Sequence, residues 1–520
     1  MSHPSRRDVL RDVGRGMFVA GLGAALTSDL GLGRLMADDT ADRLTFGDLD
    51  PLVEFIRNTA PDKLLPAAVK KLADGTDLKK LVAAAALANA RAFGGEDYVG
   101  FHTLMALAPA YHIAAEEADP KLRPLAVLKV LFRNATRFKE TDAASKDTLK
   151  PVAPFKGEPA TATHLRDAVR KVDATAAERA FASICQADPA AAINPLMEMV
   201  DDATEVHRVV LVSRSWDLLD FVGKANTHTL LRQSVRFCLK AEGQANYVKH
   251  FQSTRDVLPK VLDQHKLAGK KLGTRPLDDA AVEKLSEAIF GSNPADAAGA
   301  AAAALAEGFA PDAVGEAIAM AANQLVLRDQ GRPKGQTAAN KPEGSCHGDS
   351  IGVHGCDSAN AWRNIARVGD ARTTVSSLIL GAYQVASDRS NRGGDFLKWQ
   401  PYPRGEHAEK VKGVPPEKLL AELETAIKAN DQGRAAALTA RLGEGAKPDS
   451  AAVFAVLRKY AVSEDGALHA EKFYRTATEE FAGTRAAFRW RQLTALARVT
   501  ASAFGAPAPG VEDAKKLLVG

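Results

Sequence analysis

Aromatic side chains are scarce in this 520-residue chain, at 6% of its residues, and cysteine is scarcer, with four in all. Few aromatics argue against sheets, whose strands favour aromatic and β-branched residues, and leave alanine and leucine to do the packing; alanine also has the highest helix propensity. Four cysteines are too few for a disulfide scaffold. The chain lacks a His-Glu-x-x-His pair, a Walker loop, a Gly-x-Ser-x-Gly elbow, a Cys-x-x-Cys pair and the Cys-x-x-Cys-His of covalent haem, so none of these motifs names the chemistry. No basic arm or block of one charge sign accompanies the formal net charge of +4, which excludes an electrostatic footprint for nucleic acid.

What is present begins at the N-terminus. Ser5-Arg6-Arg7-Asp8-Val9-Leu10 leads, after a polar stretch, into the weakly hydrophobic run Met17 to Leu26. Paired arginines followed by such a run resemble a twin-arginine signal. The run is about half of the roughly 20 residues a spanning helix requires, so a stable transmembrane anchor is not expected. An ordinary amphipathic first helix is the plainer alternative. The expected organisation is a signal segment over 1–37 and one large helical domain over 38–520, with a subdivision near 330–355 as the variant. The expected partner is the twin-arginine translocation machinery and the expected destination the periplasm or cell envelope. That route carries folded proteins, often with a cofactor already inserted.

Beyond the leader, apolar stripes at helical spacing alternate with short Gly, Pro, Asp and Asn breaks, as in 78–93, 205–222, 227–240, 416–429 and 451–461. The Ala-rich stretch 294–327 fits two helices broken near Gly308 to Pro311. The fold class predicted is all-α, a large multi-helix bundle or toroid-like assembly with long irregular loops over 330–355 and 389–415.

Histidine supplies the functional signal. Of twelve, His102, His207, His228, His354 and His469 each stand near the start of a helix on its apolar side. His207 shares a stripe with Leu211, Arg214, Leu218 and Phe221, because offsets of 4, 7, 11 and 14 return to one direction. A helix N-terminus disfavours imidazolium, so such rings are neutral near pH 7 and able to act as bases or metal ligands. A single histidine of this kind is ordinarily hydrogen-bonded core; the repetition is what points to a shared cavity. His102, His207, His228 and His354 are the catalytic candidates, with Tyr98, Arg214, Asp357 and His469 as groups that would bind a cofactor and His112 in reserve. His3, His164, His265 and His407 lie in polar surroundings and read as solvated.

The densest cluster is Cys346-His347-Gly348-Asp349-Ser350-Ile351-Gly352-Val353-His354-Gly355-Cys356-Asp357. Its thiols, imidazoles and carboxylates make Cys346, His347, Asp349, His354 and Cys356 the candidate metal ligands. A disulfide between Cys346 and Cys356, free thiols and metal ligation are all open, as is a plain loop whose Asp357 caps a helix through Trp362.

Val353-His354-Gly355-Cys356-Asp357-Ser358-Ala359-Asn360-Ala361 and Leu468-His469-Ala470-Glu471-Lys472, with Phe101-His102 and Val206-His207 as looser matches, resemble the questin oxidase-like family. The resemblance is confined to short stretches between about residues 95 and 485. It implies a helical fold and oxidation or cleavage of polyketide quinones in the cytosol with a reduced nicotinamide cofactor. An exported protein would lack a supply of that cofactor, so the fold is the safer inheritance. The functional expectation is an exported redox or hydrolytic enzyme, an oxidoreductase being the reading put first, with a histidine-lined pocket for a metal ion or organic cofactor and a small-molecule ligand; the alternative is a non-catalytic binding scaffold of the cell envelope.

Overall fold

In the computed structural model, helix accounts for 71% of the protein, and among the described residues no strand forms, only three isolated bridges. The residues described are 43–143, 146–157, 160–391, 395–445 and 448–520, so the paired arginines and the apolar run lie outside them. Among the described residues no helix is long and apolar enough to cross a membrane. The all-α expectation is met.

The helices that frame the site are, in chain order, α1 (Leu78–Phe93), α2 (Tyr98–Glu116), α3 (Leu125–Glu140), α4 (Val206–Asp217), α5 (Thr227–Glu242), α6 (Pro294–Ala306), α7 (Pro311–Arg328), α8 (Ile351–Val368), α9 (Ala371–Asn391), α10 (Ser450–Ser463), α11 (Ala470–Gly483) and α12 (Trp490–Ala503). Their ends follow local chemistry. Asp77, Asp97, Glu205 and Ser350 each accept a backbone N–H at the first turn of α1, α2, α4 and α8. The Ala-rich stretch divides into α6 and α7, with Pro311 as the first residue of the second, where its missing N–H leaves no bond unmade.

Buried apolar side chains from Val53 to Ala514 join in one contiguous core. Alanine makes this possible: Ala83 to Ala86 and Ala88 are fully or almost fully buried on α1, as are Ala297, Ala298, Ala301 and Ala302 on α6. Small side chains let helix axes approach closely.

One boundary differs from expectation. Helix α8 begins at Ile351, six residues before Asp357, and its cap is Ser350, whose hydroxyl accepts from the Val353 N–H. His354, Cys356 and Asp357 are therefore helical residues, and Asp357 is not a cap. Glycine explains the placement. A Cβ at Gly352 would lie 2.7 Å from the Val326 Cα, and one at Gly355 would lie 2.5 Å from the Leu325 side chain. With no side chain at either position, the first turns of α8 seat directly on α7.

Candidate functional site

Helices α2, α4, α8 and α11 pack against one another in a closed order, α2 on α4, α4 on α8, α8 on α11 and α11 on α2. Each contributes one imidazole near its N-terminus: His102, His207 and His354 from the first turns of α2, α4 and α8, and His469 from the residue preceding α11. Ring centroids follow the same circuit, 4.8 Å from His102 to His207, 5.4 Å to His354, 5.0 Å to His469 and 5.1 Å back to His102. All four side chains are buried.

The nitrogens meet in two pairs. His102 Nε2 and His207 Nε2 are 3.2 Å apart, and His354 Nε2 and His469 Nε2 are 2.9 Å apart. The first pair has an unusual proton inventory. His102 Nδ1 lies 2.7 Å from the Tyr98 carbonyl oxygen, which can only accept, so Nδ1 carries the proton. His207 Nδ1 lies 2.7 Å from Glu205 Oε1, which fixes its proton in the same way. With both Nδ1 positions engaged, the two Nε2 atoms face each other at hydrogen-bonding distance and can share at most one proton. A cation between them would take the place of that proton.

Glu205 holds the ring and starts the helix together, because its Oε2 accepts the Arg208 N–H at 2.9 Å while Oε1 holds His207. The Tyr98 ring lies 4.3 Å from the ring of His102, and Phe101 packs 5.0 and 5.3 Å from His102 and His207. Burial holds the pKa of His102 and His469 well below the ordinary histidine value, and the Lys472 charge adds to the effect at both. Lys472 itself, buried, is pushed down to about 8 despite Asp357 and Glu471 nearby.

A polar wing extends from the imidazoles. Asp357, its carboxyl raised by burial and opposed first by Lys472, accepts from the Thr476 hydroxyl at 2.8 Å. Arg214 reaches Thr476 at 3.4 Å and Asn360 at 3.2 Å, and pairs with Asp217 at 3.0 Å. Trp216, Asp217, Arg475 and Glu479 line a surface groove of about 530 Å³ at the far end of this network.

Of the residues singled out from sequence, His102, His207, His354 and His469 come together, with Tyr98 beside them and Asp357 and Arg214 in the wing. His228 stands apart: it packs on Phe181 at 5.8 Å, its Nε2 is buried without a hydrogen bond, and burial pushes it down to about 4. His112 neighbours Arg475 and Glu479 and is likewise held down at about 4.

The Cys346 to Asp357 cluster does not act as a unit. His347 Nε2 donates to the Asn340 carbonyl at 2.7 Å and its Nδ1 accepts from Ser502 on α12 at 2.9 Å, so both nitrogens are engaged. Asp349 pairs with Arg332 and, at 2.9 Å, with Lys341. Both cysteines are buried free thiols, Cys346 directed at Gln432 and Cys356 at the Ala322 carbonyl. The helix start at Ile351 divides the cluster: His354 joins the other imidazoles, Asp357 the polar wing, and Asp349 stays within electrostatic reach of His354.

Among the described residues no group of three or more His, Cys, Asp and Glu side chains is placed to hold a metal ion as it stands. The four imidazoles stand as two pairs. For a tetrahedral ion bound at about 2.0–2.1 Å, nitrogen ligands lie about 3.3–3.4 Å apart. The observed separation of 3.2 Å is close to that, and the one of 2.9 Å is about half an ångström shorter.

Sequence reasoning passed over Glu205 and Lys472. Glu205 carries a local signal as an acidic cap two residues before a histidine. Lys472 follows His469 by three residues and so shares its face, but a lysine there reads as solvated. Compared with known proteins, the chain matches no family model, no curated protein and no solved structure. The questin oxidase-like resemblance thus rests on its short histidine-centred stretches alone.

Proposed function

We propose that this chain is an exported enzyme that binds one transition-metal ion through His102, His207, His354 and His469 and uses it as an oxidoreductase. The observation that carries the reading is the facing pair of His102 and His207 Nε2 atoms, 3.2 Å apart, with each Nδ1 engaged elsewhere. Imidazole donors suit zinc, copper, iron and nickel. An outer carboxylate on a ligating histidine is a recurrent support for a bound metal, and Glu205 occupies that position for His207. Protons compete poorly for the site, because burial disfavours imidazolium at His102 and His469. Such an ion would supply electron transfer or Lewis acidity. The chain's own residues orient the rings, exclude bulk water and, through Lys472 and Asp357, set the surrounding charge.

Export belongs to the same proposal and rests on Arg6 and Arg7; replacing both with lysine should retain the protein in the cytosol. The test of the centre is metal analysis of protein purified after native export. One copper or iron ion per chain, lost in His207→Ala and His354→Ala, is the expected result.

A second reading, a non-catalytic binding scaffold, is favoured by one observation: the imidazoles form two hydrogen-bonding pairs in place of a closed ligand set. No metal in the exported protein, with both alanine variants stably folded, would select it over the enzyme.

A further inference from the structure

A cavity of about 30 Å³ lies against the His469 ring, between the start of α8, the end of α10, α11 and α12. Its wall is largely apolar, with Val353, Phe473, Leu496 and Val499 among its side chains. Most polar groups on that wall are already committed. His347 uses both nitrogens, the Tyr460 hydroxyl donates to Glu424 at 2.9 Å, and Glu464 Oε2 accepts the N–H groups of Gly505 and Ala506 at 3.0 and 2.9 Å. His469 Nε2 faces His354. The Thr500 hydroxyl is what remains of polarity on the wall.

Size and lining together select the occupant. A single water needs roughly 10–15 Å³ of such space and two to four polar partners to be held, so the cavity has room for about two water-sized units and few bonds to offer them. An ion would forfeit its hydration with nothing in exchange.

We infer that this cavity binds one uncharged, weakly polar molecule of two or three heavy atoms, a dissolved gas in chemical class, and holds it against His469. As the route by which such a molecule meets the four-imidazole centre, the inference rests on the function proposed above. As a binding site it stands on the cavity alone.

Xenon is the probe, because it is apolar, close in size to a diatomic gas and visible by anomalous scattering. Crystals of the full chain pressurised with xenon should show a peak in van der Waals contact with the His469 ring. Val499→Phe, which fills the space from α12, should lower its occupancy at least tenfold while cobalt(II) uptake, read from visible absorption, keeps the wild-type stoichiometry. Ala503→Val serves the same purpose with a smaller change in shape. No peak in the wild type, or an undiminished peak in a folded variant, overturns the inference. A xenon peak in protein that takes up no cobalt would remove the four-imidazole centre and leave the gas site standing.

Discussion

Glu205 Oε1 and His207 Nδ1 lie 2.7 Å apart, and the other oxygen of the same carboxylate caps the helix on which His207 stands. One side chain thus sets where α4 begins, which way its imidazole faces and which nitrogen carries the proton. Glu205→Gln keeps an oxygen for the Arg208 N–H and removes the charge behind the ring. Metal affinity, measured by competition with a chromophoric chelator, should fall about 10–100-fold. Stability in excess chelator should change by less than about 1 kcal/mol, since the cap survives.

Binding at the four imidazoles should stabilise the fold by linkage. Metal at about a hundred times its Kd adds about 2.7 kcal/mol, and the melting temperature should rise with metal concentration. His354→Ala should abolish that dependence, and EDTA should reverse it in the wild type. A wild-type melting temperature indifferent to zinc, cobalt, copper and iron would speak against the centre.

Acid stability has a definite sign. Burial holds His228 and His347 down at about 4, and His102 and His469 lie well below their ordinary value of 6.5. As pH falls through 6.5 the unfolded chain takes up protons that the native protein refuses, so native stability declines. The plateau should lie above about pH 7, with the decline running from 6.5 toward 4. Each such imidazole contributes at most about 1.4 kcal/mol per pH unit. His228→Gln, at a ring whose Nε2 makes no hydrogen bond, should make the slope of unfolding free energy between pH 6 and 5 measurably shallower. Urea titrations in chelator provide the measurement.

Lys129 and Glu471 form a buried ion pair at 2.6 Å, next in sequence to Lys472. Lys129 Nζ also donates to the carbonyls of Ala461 and Glu464 at the end of α10. Lys129→Met should cost about 3–5 kcal/mol, because it leaves a buried carboxylate without its partner. Adding Glu471→Leu should restore part of the loss. Chemical denaturation of both variants checks the pair.

All four cysteines should be thiols in the native protein. Cys346 and Cys356 face different partners from either side of the α8 start, and Cys185 and Cys238 are buried in helices. Alkylation under denaturing, non-reducing conditions should add four labels to each chain by intact mass. Two labels would establish a disulfide.

The helical periods were legible from sequence because burial imposes them. The stripe read over 78–93 corresponds to Leu78–Phe93, and the one over 451–461 to Ser450–Ser463. The centre was legible only in part. His102, His207 and His354 shared an apolar residue before them and a helix start around them, and so did His469, set down for a cofactor. His228 carried much the same local pattern yet belongs elsewhere, because the direction a helix start faces is decided by long-range packing. The Cys346 to Asp357 run misled for the opposite reason. Proximity in sequence promised proximity in space, and the turn from loop to helix at Ile351 separated the groups again.

The four rings come from positions 102, 207, 354 and 469, so the last of them leaves the ribosome long after the first. An ion bound there, as proposed, would consequently be acquired late, by a molecule whose helices are already in register. If the chain is exported folded, as proposed, the filled centre would double as a certificate of completion: a nascent or truncated copy could not hold it.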